Sequence, residues 1–478
     1  KNSTRKMKIP KCIFFIVIIS TLFFGSCNTE KDSKKPNVIF ILTDDLGYED
    51  LATYGSKFIK TPNLDKLADQ GAKLTSYYAT QAVCSASRAS ILTGCYPNRI
   101  GISGALGPNS KTGINPDEFL ISEMLKENGY NTAIYGKWHL GDHKKFFPTR
   151  HGFDDFYGIL YSNDMWPYHP ERPGGYPDLK LYENENVIKV LEDQSDLTKK
   201  LTEKSIEFIK RNKENPFFLY IPHPQPHVPL FASEKFNGRS KKGLYADVIE
   251  EIDDSVGQIM NVLQQYNLDN NTIIIFTSDN GPWLSYGGHA GKTGLYREGK
   301  GTTWEGGQRV PCIVRFPKEI KKNTIVSTPV MGIDWLPTIS NLTNSKVSNN
   351  KIDGKNIRKV LTETDPKPVH DALFFYYHKN SLHSVRYGDW KMYYPHRYRT
   401  LNGKVPRNDG MPIKYDYLDL KSPELYNLKN DPSEKVDVYN NFPEIVSKIN
   451  LLANKKRKEL GDNLTGIVGD ENRPVGTL

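Results

Sequence analysis

Val38-Ile39-Phe40-Ile41-Leu42-Thr43-Asp44-Asp45 reads as a strand that runs straight into two acids. Five consecutive apolar residues leave no side for water, so the segment belongs in a sheet covered on both faces. Similar runs follow at Thr132-Ala133-Ile134-Tyr135, Pro216-Phe217-Phe218-Leu219-Tyr220-Ile221, Thr272-Ile273-Ile274-Ile275-Phe276 and Val310 to Phe316. Between them lie segments with helical periodicity. Asn63 to Lys73 starts at Pro62-Asn63 and stops near Gly71, and Glu118 to Asn128 is stopped by Gly129. Leu197 to Lys213 and Tyr245 to Gln265 complete the set. Strand and helix in alternation predict an α/β fold, a large mostly parallel or mixed central sheet flanked by helices.

The pattern changes after about residue 365. Leu373-Phe374-Phe375-Tyr376-Tyr377, Ser384-Val385-Arg386-Tyr387 and Trp390-Lys391-Met392-Tyr393-Tyr394 read as strands in series, and Glu444 to Glu459 as a closing helix. A smaller C-terminal antiparallel sheet plus helix is expected over 365–478, beside a main domain at 36–364. Residues 340–352 are polar, rich in Asn, and expected to be a loop.

The polar clusters fall where an open α/β sheet binds ligands, beyond the carboxyl ends of its strands. Asp44-Asp45 follows the first strand, Lys137-Trp138-His139 the second, His223 and His227 the third, and Asp279-Asn280 the fourth. Each alone also fits a cap or turn; four together point to one site. Asp44, Asp45, Asp279 and Asn280 offer only oxygen, a set that suits Ca²⁺ or Mg²⁺ better than zinc. Lys137 and His139 alternate, which in an extended segment places both on one side and Trp138 in the core.

A further chemical stretch is Val83-Cys84-Ser85-Ala86-Ser87-Arg88-Ala89-Ser90-Ile91-Leu92-Thr93-Gly94. At helical spacing Cys84 and Arg88 share a face, and the helix start offers free N–H groups to an anion. A buried cysteine beside a surface arginine reads equally well from this stretch alone.

Cys84-x-Ala-x-Arg88 with Thr93-Gly94 resembles the signature of the formylglycine-dependent sulfatases, of the arylsulfatase A-like branch within the alkaline phosphatase superfamily. Tyr135-Gly136-Lys137-Trp138-His139-Leu140-Gly141 is similar to a second family motif, and Glu424 to Pro432 to a third. The resemblance implies that Cys84 becomes formylglycine, the nucleophile. It implies one divalent cation, usually Ca²⁺, on Asp44, Asp45, Asp279 and Asn280. Arg88, Lys137 and Lys300 would then meet the sulfate, His139 would hold or deprotonate a formylglycine hydroxyl, and His227 would protonate the departing alcohol, with His223 its rival in the same loop. Ser162 is similar to a sulfate-contacting serine. Ala86 replaces the commoner proline, which implies the oxygen-independent maturase as partner.

The implied reaction is hydrolysis of a sulfate ester on a sulfated carbohydrate. A phosphodiesterase or phosphonate monoester hydrolase of the same fold is the near alternative, and a non-catalytic glycan-binding lipoprotein the distant one. Asp164, Trp166, Tyr168, His169, His289, Arg297, His383 and Arg386 are candidate substrate contacts, chosen for chemistry and nearness in sequence to the motifs.

The chain has 478 residues and a net charge of +9, with 37% hydrophobic and 11% aromatic residues. Residues 1–26 hold five basic residues and no acid; without them 59 basic residues face 55 acidic ones. That excess tolerates a polyanion without demanding one, and no basic arm or motif points to nucleic acid. Residues 1–26 read as a lipoprotein signal, with Met7 the expected start. The apolar run from Ile13 to Ile19 leads to Phe24-Gly25-Ser26-Cys27, which resembles a bacterial lipobox. Cys27 is the expected lipidation site and residues 27–35 a polar tether. The expected location is exported and lipid-anchored, in the periplasm or at the outer membrane or cell surface of a bacterium. Cys95 and Cys312 are expected to be free.

Overall fold

Seven consecutive buried residues, Asn37–Thr43, form the strand (β1) on which the central sheet is built. The computed structural model describes residues 2–4 and 34–478; the rest of the signal, Cys27 and most of the tether lie outside the described residues. The other strands of this sheet are β2 (Ala72–Leu74), β3 (Asn131–Lys137), β4 (Asp155–Ile159), β5 (Lys180–Glu183), β6 (Asn186–Val190), β7 (Phe217–Pro222), β8 (Thr272–Ser278), β9 (Cys312–Arg315) and β10 (Thr324–Val326). Their order is β10-β2-β9-β8-β1-β7-β3-β4-β5-β6. The five inner strands β8, β1, β7, β3 and β4 run parallel. β9 is antiparallel to β8 and β2, and the β5–β6 hairpin closes the other edge. The sheet is therefore mixed: four of the five continuous apolar runs lie in its parallel part, and the fifth, Val310 to Phe316, forms the antiparallel β9.

The helices that matter below are α1 (Pro62–Asp69), α2 (Cys84–Thr93), α3 (Leu197–Arg211), α4 (Leu244–Gln265) and α5 (Pro443–Leu460). α1 ends at Asp69, short of the expected Lys73, because Ala72–Leu74 leaves the helix to pair with β9 and β10. Gly71 permits that exit: a Cβ there would lie 2.2 Å from the Val314 carbonyl oxygen. The expected loop at 340–352 begins late, since the helix Trp335–Thr343 runs into it.

The C-terminal strands are β11 (Leu373–Tyr377), β12 (Ser381–Tyr387), β13 (Trp390–Tyr393), β14 (His396–Thr400), β15 (Asp416–Leu420) and β16 (Glu424–Asn427). β11-β12-β13-β16 form one antiparallel sheet, and β14 and β15 pair separately. Val446, Ile449 and Ala453 of α5 close a second core over Phe375, Val385 and Leu425. Residues 35–478 form one compact unit, so this sheet is continuous with the main body. Among the described residues no helix is long and apolar enough to cross a membrane, and Cys84, Cys95 and Cys312 are buried free thiols.

Candidate active site

Strand register assembles the acids. β1 and β8 pair Thr43 with Ser278, so the next residues, Asp44 and Asp279, emerge side by side. The Asp45 N–H donates to Asp279 Oδ1 at 3.3 Å, and Asn280 Nδ2 donates to Asp45 Oδ1 at 2.7 Å. Asp45 sits at φ +66°, a strained conformation that occurs where surrounding structure fixes it. Gly281 keeps the next turn closed: a Cβ there would lie 1.9 Å from the Gly306 carbonyl oxygen.

α2 delivers Cys84 as its first residue and ends at Gly94 in the left-handed region. All ten residues are buried although half are polar. Ser90 and Thr93 donate back to Ala86 and Ala89 carbonyls at 2.9 and 2.7 Å, which removes the cost of burying their hydroxyls. Arg88 lies one turn beyond Cys84, fully buried. Its Nε and Nη2 both reach Asp279 Oδ2 at 2.9 Å, Nη1 donates to the Lys137 carbonyl at 2.9 Å, and Nη2 lies 3.2 Å from Asp44.

Two lysines complete the ring of charge. Lys137 Nζ pairs with Asp44 and donates to Ser162 Oγ at 2.9 Å. Lys300 Nζ donates to both Asp45 oxygens at 2.7 and 2.8 Å and stands 3.4 Å from Cys84 Sγ. Ligand atoms of Asp44, Asp45, Cys84 and His227 lie within 4.8 Å of one another. Burial alone would raise the Asp44 carboxyl, but Lys137, His227, Arg88 and Lys300 outweigh it and hold it well below its usual range. Burial and the Asp44 charge push the Cys84 thiol far up. Burial and then Asp44 raise Asp279 to about 7, against the pull of Arg88.

The histidines differ in kind. His227 Nδ1 bonds the Val228 carbonyl at 2.6 Å, and Nε2 is 3.5 Å from Asp45 Oδ2. His223, the rival, is buried with both ring nitrogens unpartnered among the described residues, and burial alone lowers it to about 4. His139 does not continue the strand as the alternation argument assumes: β3 ends at Lys137 and His139 turns back at φ +62°. Its Nε2 bonds the Leu106 carbonyl at 2.8 Å, and burial with the charges of Lys137 and Arg88 keeps it neutral.

Residues 36–345 match the Sulfatase family, and residues 369–468 match the C-terminal region of aryl-sulfatase. The chain belongs to the sulfatase family. It is 36% identical over 374 residues to N-acetylgalactosamine-6-sulfatase of Rattus norvegicus, covering 74% of this chain and 71% of that protein. To arylsulfatase A of Bos taurus it is 32% identical over 434 residues, covering 86% and 84%. The crystal structure of Ps i-CgsB in complex with k-i-k-neocarrahexaose superposes with a TM-score of 0.75 at 29% identity, covering 92% and 94%. The protein is thus a sulfuric ester hydrolase with an alkaline phosphatase-like fold.

In this sulfatase the candidate substrate contacts scatter. Asp164 and His169 are buried and 3.7 Å apart, next to Ser162, and Trp166 packs edge-on against Tyr168 and Phe231. His289 lies under the Pro406–Gly410 loop, with its ring 3.1 Å from where a Cβ on Gly410 would be. Arg297 stacks on Trp304 at 3.6 Å and donates to the Glu434 carbonyl, Arg386 pairs with Tyr78, and His383 stacks on His396 at 4.0 Å. Those three brace the C-terminal sheet. Two contacts carry no motif in the sequence. Trp283 lies 5.6 Å from the His227 ring and 4.8 Å from Lys300 Nζ, and Arg399 of β14 donates to the Lys300 carbonyl at 2.8 Å. A tryptophan after Gly281-Pro282 reads as core, and nothing local to Arg399 points 99 residues back.

Proposed function

We propose that the protein hydrolyses sulfate esters on carbohydrates, using residue 84 as formylglycine beside a divalent cation, Ca²⁺ or Mg²⁺. The observation that carries this is the closed ring of Arg88, Lys137 and Lys300 on Asp44, Asp45 and Asp279 around Cys84. Three buried cations balance three buried carboxylates, so a divalent ion would leave room for the ester's negative charge and for charge that develops in the transition state.

The residues fit such an ion. The three carboxylates are hard donors, and Asn280 Oδ1 is a buried oxygen without a hydrogen-bond partner among the described residues. Asp44, Asp45, Asp279 and Asn280 would hold it, and it would draw charge from the sulfate oxygens. Cys84 as a thiol is a poor nucleophile here, since burial and Asp44 keep its proton on. Conversion to formylglycine, with water added across its aldehyde, would supply two hydroxyls in its place: one to attack sulfur, the other to lose its proton so that the aldehyde re-forms and sulfate leaves.

The chain's own groups do the rest. Lys137 and Lys300, each already on one aspartate, point ammonium groups at the space beside residue 84 and would orient the sulfate. His227 donates from Nδ1 to the Val228 carbonyl, which leaves Nε2 to carry a proton to the sugar oxygen as its bond to sulfur breaks. His139, neutral and with Nδ1 unpartnered among the described residues, would accept the proton of a residue 84 hydroxyl. Overall, water is consumed and an alcohol and hydrogen sulfate are released.

A carbohydrate substrate is supported by the glycan named with the related structure and by the amino sugar named in the rat relative. Export with lipid attachment at Cys27 and maturation by the oxygen-independent enzyme, read from Ala86, belong to the same proposal. The test is peptide mass spectrometry of residue 84 after co-expression with each maturase type, with sulfate release measured on sulfated mono- and oligosaccharides. Converted protein should release sulfate and Cys84→Ala should not; release by Cys84→Ala at the parent rate would overturn the reading.

A further inference from the structure

The β14–β15 hairpin carries a row of cations and rings that starts at Lys300. Trp283, half-buried, has its ring 4.8 Å from Lys300 Nζ and 5.9 Å from the Arg399 guanidinium carbon. Arg399 lies over the Tyr415 ring at 4.6 Å and stands opposite Tyr417 in the strand register. Opposed residues of an antiparallel pair share a face, and so do residues two apart on one strand. Arg397 is therefore on this face too, about 7 Å further along. Its guanidinium carbon is 5.1 Å from the Tyr417 ring. Arg397 is exposed and Tyr417 is 58% exposed, while His396, Tyr398 and Thr400 turn inward.

The row ends at a cavity of about 440 Å³, where Arg397 and Tyr417 meet His378, Ser381, His383 and His396, with no carboxylate in the lining. His396 Nδ1 donates to the Tyr394 carbonyl at 2.7 Å, which leaves Nε2 buried and without a partner among the described residues. His383 stacks on it at 4.0 Å, and its Nδ1 is likewise buried and unpartnered. Such unmet capacity is costly unless a ligand or water fills it, and a protonated imidazole donates from both nitrogens.

The hairpin's own acids leave the two arginines uncompensated. Residues 396–420 hold five basic and three acidic residues. Asp416 pairs with Lys404 at 2.5 Å and Asp409 with Arg407 at 3.3 Å. Asp419 stands opposite Arg397 in the register and Glu298 feels the charge of Arg399, yet among the described residues neither arginine forms an ion pair. Arg399 commits Nε and Nη2 to the Lys300 carbonyl, which leaves Nη1.

Guanidinium groups beside aromatic rings along an exposed strand suit a chain of anionic sugars: rings on the aromatic faces, sulfates on the arginines. We propose that Trp283, Arg399, Tyr417 and Arg397 form a track for a sulfated oligosaccharide, which leads a second sulfate of the chain, beyond the ester at Lys300, to the cavity of His383 and His396. This rests on the sulfatase reading and adds the substrate class, a polyanionic glycan in place of a lone sulfated sugar.

The experiment titrates the Cys84→Ala protein by calorimetry with a tetrasaccharide sulfated on every unit and with the same tetrasaccharide sulfated on one terminal unit only. The fully sulfated chain should bind about tenfold tighter, the size of one charge-assisted pair, and high salt should erase most of that difference because the arginines are exposed. Arg397→Ala and Tyr417→Ala in the same background should each cut the preference to about threefold or less. In the enzyme that keeps Cys84, both substitutions should lower kcat/KM more on the fully sulfated chain than on a sulfated monosaccharide. Equal binding of the two tetrasaccharides, or a preference that both substitutions leave intact, would overturn the track. Turnover of the sulfated monosaccharide by the parent enzyme reports on the sulfatase reading independently.

Discussion

Arg399 Nε donates to the main-chain carbonyl of Lys300 at 2.8 Å, and Nη2 reaches the same oxygen. A strand of the C-terminal hairpin therefore holds the residue whose ammonium pairs with Asp45. Gly301 makes room: it sits at φ +81°, and a Cβ there would come within 2.5 Å of the Arg399 guanidinium carbon. Arg399→Ala should lower kcat/KM by about tenfold, the size of one lost oriented hydrogen bond to a positioned group. Gly301→Ala should do the same and lose about 1–3 kcal/mol of stability from backbone strain. Kinetics beside thermal unfolding separates positioning from simple loss of fold.

The second link between the sheets gives a pH dependence. Lys391, fully buried, donates to Glu305 Oε1 at 2.8 Å and to the Thr303 carbonyl at 2.7 Å, and lies 3.9 Å from Glu434. Burial and Glu305 raise Glu434 to about 7 against the pull of Lys391, while Glu305 is held at about 2 because Lys391, Arg309 and Arg386 outweigh its burial. A carboxyl raised on folding binds its proton more tightly in the folded state, so its effect on stability worsens as pH rises from about 4.5 to about 7 and then levels off. Glu434→Gln, which mimics the protonated group, should remove that decline. Denaturant unfolding at pH 5 and pH 8 should show the parent losing on the order of 1–3 kcal/mol more than the variant.

Arg88 is the buried cation with most to lose. Asp279→Ala leaves it short of its two shortest carboxylate contacts and should cost about 3–5 kcal/mol, seen by unfolding. Arg88→Lys keeps the charge but not the fork that spans Asp279, Asp44 and the Lys137 carbonyl, and should retain the fold with a large loss of kcat.

Metal removal is the fourth expectation. Chelator should lower both the melting temperature and sulfate release, and Ca²⁺ should restore both. Asp45→Ala should abolish the calcium-dependent rise in melting temperature, a readout that does not depend on turnover.

The elements were legible where one face or both had to be apolar. β1, β7 and β8 declare themselves by apolar runs, and α3, α4 and α5 by period. Short pieces were not: Ala72–Leu74 is too brief to carry a period, and only its partners make it a strand. His139 fails the alternation rule because a left-handed residue, set by the Leu160 and Leu106 carbonyls around it, cannot be seen in side-chain pattern.

What the sequence determined by itself is the inventory: acids and amide after strands, a cysteine four residues before an arginine, a Lys-Trp-His run, and the family these spell. Those are local facts, fixed by neighbours in the chain. What tertiary structure alone decided is who faces whom. The register of Thr43 on Ser278 sets Asp44 beside Asp279, 235 residues apart. The packing of β14 on the Lys300 loop brings in Arg399. Such pairings come from how layers stack and where strands end, and long-range packing leaves no periodic mark on the residues that make it.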